Sequence, residues 1–292
     1  MRLRLNIRNY SAARLAAFRK AMVRLQSLYD NRGYNYLAGL HGIPNFHCWH
    51  HQEVRNDFHG VRLFLPWHRA YLLTFEQFLM DAAEDEGLNG DDVTMPWWDW
   101  RSQKSHAEGV PKAYSEAMDP EGHPNPLHSF HIRQLLSGVD ERTRRFPQDP
   151  NDLPSGTAVE DLRAIADFND FNDELEGVHD MIHEWVGGYK RDANGLPIDL
   201  DGNPVERRED VVFGSMGSVA VAAFDPIFWA HHTMIDRIWR LWQMDHGIET
   251  GFSSVLQRRI LEPFNMTVGD VLDVSDLGYD YAGVESGVLL WA

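Results

Sequence analysis

Two histidines four residues apart, His179 and His183 in LEGVHDMIHEWVGG, restrict this chain more than any other feature. On an α-helix that spacing places both imidazoles on one face, one turn apart. Such a pair is half of a metal site. Taken alone, it serves equally well as two hydrogen-bonded helix residues. Three more histidines stand at the starts of two apolar segments: His68 in FLPWHRAYLLTFE, and His231 and His232 in FDPIFWAHHTMIDRIW. In each segment a Phe precedes a His by four (Phe64 before His68, Phe228 before His232), and the His follows a Pro. The echo favours His232 over His231 as the reactive neighbour. Helices that point histidines inward can build a metal site in the core of a bundle.

The remaining pattern supports a bundle. Residues 11–30 place Leu15, Phe18, Met22 and Leu25 on one helical stripe behind Ser11 as N-cap. Residues 31–61 read as loop. Helices are expected over about 67–83, with Pro66 in the first turn, over 172–185, closed by Gly187-Gly188, and over 226–244. Short helical pieces are expected around 132–136 and 159–165. A polar insertion, residues 189–213, contains DLDGNPV and predicts a two-stranded flap at the mouth of any pocket between its flanking helices. The fold class is therefore mainly α: a four-helix-bundle core, long irregular loops and a few short strands, in one domain spanning 1–292.

The loop before His68 adds His41, His47, His50, His51 and His59 as candidates. Neutral imidazole suits Zn, Cu, Fe and Ni, with affinity peaking at Cu(II). HDMIH lacks the glutamate of a zinc-protease HExxH. Glu176 and His179 form one Glu-x-x-His, but a carboxylate di-iron bundle needs two. An all-imidazole pair of redox metals points to copper and dioxygen.

Composition narrows the partners. With 27 basic and 44 acidic residues the formal charge is −17, which repels nucleic acid and anionic membranes. No apolar run is long enough to span a bilayer. The start, MRLRLNIRNY, lacks a signal-peptide core, so a cytoplasmic protein is expected; export with a folding partner is compatible with the same start. One cysteine, Cys48, excludes an intramolecular disulfide.

LHGIP, FHGVRLFLPWHRAYLLTFE, MPWWDW, LEGVHDMIHEWVGG and FDPIFWAHHTMIDRIWRLWQ, in that order, resemble the tyrosinase, catechol oxidase and molluscan haemocyanin family of type 3 dicopper proteins. The likeness runs from about residue 10 to 282 and ends on a Tyr-x-Tyr pattern at Tyr279 and Tyr281. It matches a bacterial-type core, and the few residues beyond Tyr281 lead to the expectation of no C-terminal lid. It implies two coppers, the first held by His41, His59 and His68, the second by His179, His183 and His232, with dioxygen as co-substrate. His231 would be the non-ligand neighbour. Some relatives link a Cys to the middle ligand of the first copper by a thioether. Here Asp57 stands at the usual cysteine position, which leaves a longer Cys48–His59 link or an unreactive buried thiol.

The likeness also implies Phe228 beside the substrate pocket and Glu184 at its entrance. Glu176 would hold a water there. Its partner in relatives is an Asn after the first ligand of the second copper, where this chain has Asp180. Glu176 and Asp180 together are expected to share protons in two coupled steps. Arg69 and Asp236 are expected to pair across the bundle, and Glu76 and Asp99 are candidates for similar roles. The expected activity is oxidation of o-diphenols to o-quinones with monophenol hydroxylation. An o-aminophenol oxidase and a haemocyanin-like oxygen carrier are the alternatives, separated by oxygen consumption with small phenolic or aminophenolic substrates. Oligomeric state is not legible in the sequence.

Overall fold

A computed structural model describes residues 1–48, 63–133 and 140–284. In chain order the elements are β1 (Arg2–Arg4), α1 (Ala12–Ser27), α2 (Tyr34–His41), α3 (Phe64–Asp85), α4 (Gln103–Glu108), α5 (Lys112–Ser115), β2 (His131–Arg133), β3 (Asp140–Arg142), α6 (Ala158–Arg163), α7 (Phe168–Gly187), α8 (Ile227–His246), β4 (Ile260–Leu261), β5 (Met266–Thr267) and β6 (Tyr279–Tyr281). Short 3₁₀ turns join several of them.

Helices α2, α3, α7 and α8 form the bundle, with α1 laid along α3. Ser11 caps α1 by accepting from the Arg14 amide, and Asp167 caps α7 through the amides of Asn169 and Asp170. Gly188, at φ 52°, ends α7. The long helices start and stop within a few residues of their expected bounds. Aromatic side chains fill the space between them: Trp229 of α8 stacks on Phe75 of α3 at 3.6 Å between ring centroids, and Trp242 of α8 stacks on Phe171 of α7 at 4.8 Å. Trp67, Trp98, Trp100, Trp239 and Trp242 are all fully buried.

Three local expectations are corrected. Residues 34–41 are helix, not loop. That segment buries Tyr34, Leu37, Ala38, Leu40 and His41, so it carries no polar face to mark a helical period. The helical piece expected around 132–136 begins instead as a strand: β2 pairs antiparallel with β3, Ile132 opposite Glu141, while 134–136 lie outside the described residues. The flap at 189–213 is built of turns and isolated bridges (Tyr189 to Phe213, Arg191 to Pro197, Ile198 to Pro204) and contains no regular strand.

The first and last of these strands are joined. β1 runs parallel to β6, Arg2 beside Tyr279 and Arg4 beside Tyr281. Among the described residues, no helix is long and apolar enough to cross a membrane.

Candidate metal centre

Two helices bring His179, His183 and His232 to one point. The Nε2 atom of His232, on α8, lies 3.2 Å from that of His179 and 3.3 Å from that of His183, both on α7. The other ring nitrogen of each α7 histidine is already engaged. His183 Nδ1 donates to the Met216 carbonyl at 2.9 Å, and His179 Nδ1 faces the Asp180 carboxylate at 3.0 Å. Those bonds hold the hydrogen on Nδ1 and leave a lone pair on each Nε2. His232 can donate from Nε2 to only one of them. Its Nδ1 is buried with no partner among the described residues. Burial, then the neighbouring histidines beginning with His68, hold the His232 imidazole well below the ordinary pKa of the group, so it cannot resolve the conflict by charging. A cation does resolve it. Imidazole nitrogens about 2 Å from one ion in a roughly tetrahedral arrangement stand a little over 3 Å apart.

A second group lies beside the first. His41 ends α2, and His68 lies one turn into α3. His68 Nδ1 donates to the Phe64 carbonyl at 2.9 Å, which holds the hydrogen on Nδ1. Cys48 Sγ is 3.6 Å from His68 Nε2 and buried. The ligand atoms of His41, Cys48 and His68 lie within 4.8 Å of one another, as do those of His179, His183, His231 and His232. The rings of His68 and His232 stack at 4.4 Å, so the two groups share a wall. His59, His50 and His51, and with His59 the proposed partner of Cys48, lie outside the described residues.

His231 is in the cluster but turned differently. Its ring lies face-on to His179, 5.2 Å between centroids at 16°, whereas His232 aims a nitrogen at the two α7 nitrogens. The echo of Phe64 and Phe228 has a packing cause. One helical turn places Phe64 4.7 Å from the ring of His68 and Phe228 4.1 Å from that of His232. Phe228 is fully buried behind the histidines and also touches His41.

The donor set opens into a cavity of about 310 Å³. His41, His179 and His183 reach it, and Asp180, Glu184, Met216, Gly217 and Val219 complete the described wall. The sequence reading did not flag the last three. They belong to the small-residue run GSMGSV, whose signal is its position between two histidine helices. No residue of the 189–213 flap is in this wall, so the flap does not occupy the mouth expected of it. Glu176 is buried on α7, one turn before His179. Asp180 is exposed on the rim. Burial and then the Glu184 carboxylate raise the Asp180 pKa; the like charge acting on it is Glu184, in place of the expected Glu176.

The clamp across the bundle is present. Arg69 Nε donates to Asp236 Oδ1 at 2.6 Å, with Arg69 fully buried. Glu76 is also buried, accepting from Arg4 and from the Met95 amide at 2.7 Å. Asp99 pairs with Arg101 at 3.1 Å.

The model of the common central domain of tyrosinase matches residues 31–245. The chain belongs to the tyrosinase family. Its group is the type 3 copper proteins, and the two histidine clusters fit the dicopper site this family implies. The chain is 28% identical over 250 residues to units G and H of the haemocyanin of Sepia officinalis, covering 82% of this chain and 37% of that protein. It is 25% identical over 319 residues to a tyrosinase of Hahella sp. (strain CCB-MM4), covering 96% of this chain and 63% of the relative. The chain thus spans less than two thirds of these relatives' own length. Among solved structures, a functional unit of octopus haemocyanin superposes with a TM-score of 0.69 at 23% identity, over 97% of this chain and 69% of the other. The F513Y mutant of Aspergillus oryzae pro-tyrosinase superposes with a TM-score of 0.73 at 21% identity, over 98% of this chain and 71% of the other. At these identities the likeness is one of fold.

Proposed function

We propose that the protein is a type 3 dicopper oxidase that uses dioxygen to convert o-diphenols to o-quinones and hydroxylates monophenols. His41, His59 and His68 would hold one copper, and His179, His183 and His232 the other. Bound as Cu(I), the pair supplies two electrons to dioxygen. The chain's own residues orient the imidazoles through the Phe64 and Met216 carbonyls and the Asp180 carboxylate, admit one aromatic ring, and manage its protons. Cys48 would link to His59 or remain a thiol; intact mass after copper removal distinguishes them by the loss of two hydrogens.

The observation that carries an oxidase is the cavity. Ligand histidines form part of its wall, and exposed Asp180 and Glu184 stand on its rim. A ring-sized space reaching the donor set serves a reaction on a substrate; binding dioxygen alone needs far less room. No Lys or Arg is in the described wall, so the acidic rim favours neutral or cationic phenols over anionic ones. Similarity to haemocyanins keeps an oxygen carrier as the second reading.

Oxygen consumption by the copper-loaded protein tests this. Catechol should drive continuous uptake, and tyramine should be turned over faster than 3-(4-hydroxyphenyl)propanoate. Glu184→Gln should narrow that difference several-fold. 2-Aminophenol tests the aminophenol oxidase alternative. Reversible oxygen binding with no uptake on any of these substrates would establish the carrier instead.

A further inference from the structure

A second cavity, about 410 Å³, lies between the flap, the segment after β3 and helix α5. Its chemistry is opposite to that of the copper pocket. Tyr114, Phe146, Pro147 and Leu200 supply an apolar body. Arg144, Lys190 and His128 supply the polar edge, and no acidic side chain is among the described lining residues. In a chain of formal charge −17 such a lining is unexpected. Some of this charge is already committed. Arg145, also in the wall, is held by Asp225, and Arg144 is paired with Glu141 at 2.6 Å. Lys190 has no acidic partner among the described residues. Its Nζ donates to the carbonyls of Asp199 at 2.9 Å and Leu200 at 2.6 Å, which leaves the ammonium's third hydrogen and its charge for a ligand. Burial, then the Arg145 guanidinium, lowers the pKa of His128.

We propose that this cavity binds a small organic acid: a compact apolar body bearing one carboxylate, with the carboxylate at Lys190 and the body against Phe146 and Leu200. Its wall is bonded to the wall of the copper pocket. The Arg144 amide donates to Ser215 Oγ at 3.0 Å, and the Ser215 amide returns a bond to the Arg144 carbonyl at 2.8 Å. The next residue, Met216, carries the carbonyl that holds His183. The Phe146 amide donates to the Gly187 carbonyl at 2.9 Å, at the end of the same helix that carries His183. An acid seated against Phe146, in the wall that Arg144 shares, therefore bears on the segment that orients a ligand histidine. The binding does not depend on the oxidase reading, so the two fail separately.

Calorimetry of the copper-loaded protein with 3-phenylpropanoate, beside its neutral analogue 3-phenylpropanamide, tests the site. The acid should bind one per chain and at least tenfold more tightly than the amide. Lys190→Gln, which keeps donors for the two carbonyls, and Leu200→Asp should each weaken it at least tenfold with copper content unchanged. Glu184→Gln, at the copper pocket, should leave the affinity within twofold. Absence of binding, equal affinity for acid and amide, or an affinity moved by Glu184→Gln but by neither Lys190→Gln nor Leu200→Asp would overturn the proposal.

Discussion

His183 is held by a carbonyl that can approach only because two glycines cross. A Cβ on Gly214 would fall 2.2 Å from the Gly187 carbonyl oxygen and 2.9 Å from that of Arg144. Gly214→Ala must push the Ser215–Met216 segment away from α7, and with it the acceptor of His183 Nδ1. It should cost about 1–3 kcal/mol of stability, as overpacking does, and lower the copper bound per chain. Gly177→Ala, on the same helix with open space around it, should be neutral or stabilise by roughly 1 kcal/mol with copper unchanged. Thermal melts and metal analysis of the two variants decide this. The histidines themselves give a pH prediction. His231 and His232 are buried neutral, with pKa values well below 6.5, chiefly through burial. Below pH about 6.5 the unfolded chain takes up protons that the folded one refuses. Stability should therefore fall with pH, by up to about 1.4 kcal/mol per unit for each histidine, and copper should leave over the same range. A metal-free melting temperature that stays flat between pH 7 and 5 would contradict the burial of both rings.

At the scale of elements, what was legible in the sequence was whatever one helix could show. The spacing of His179 and His183, the Pro-led starts of α3 and α8 and the glycine stop of α7 are local signals, and each helix lies close to its expected place. What failed depended on partners distant in sequence. α2 buries all but Asn35 and Tyr36, so its period is invisible until the bundle closes around it. β2 is fixed by pairing with β3, which lies beyond a local window. The flap joins two helices that carry candidate histidines, which is what points it, in sequence, to their pocket. Yet the Lys190 ammonium folds over the carbonyls of Asp199 and Leu200, and both lining residues it contributes face the second cavity. Replacing residues 191–205 by a short Gly-Ser linker should thus leave copper content and the KM for catechol within twofold, and abolish binding of 3-phenylpropanoate. A large rise in KM for catechol would return the flap to the mouth of the copper pocket.

At the scale of the whole molecule, β1 and β6 meet the bundle at one junction, and one residue carries much of it. Arg4, fully buried on β1, donates from Nε and Nη2 to Glu76 on α3 at 3.1 and 2.9 Å, and from Nη1 to Asp236 on α8 at 3.2 Å. Its guanidinium lies 3.6 Å over the ring of Tyr279 and also donates to the Tyr281 hydroxyl at 3.0 Å. Both tyrosines donate in turn to Asp236, at 2.7 and 2.5 Å, beside Arg69. Burial alone would raise the Asp236 pKa, but Arg69 and Arg4 overcome it and hold the carboxyl below the usual range. It stays ionised, and its contribution is lost only as pH falls through that lowered value. Removing Arg4 leaves Glu76 and Asp236 buried with less compensating charge. Arg4→Met should therefore cost about 3–5 kcal/mol, the cost of breaking a buried ion pair from one side. Much of that loss comes from the stranded Glu76 carboxylate, so Glu76→Gln added to Arg4→Met should restore part of it, making the double variant more stable than the sum of the singles. Hydrogen exchange should accelerate first at β1 and β6, whose pairing loses its anchor, and later along α3 and α8. Strict additivity of the two substitutions, with β1 and β6 still protected, would mean that the two strands are held by their own pairing and that Arg4 does not couple them to the bundle.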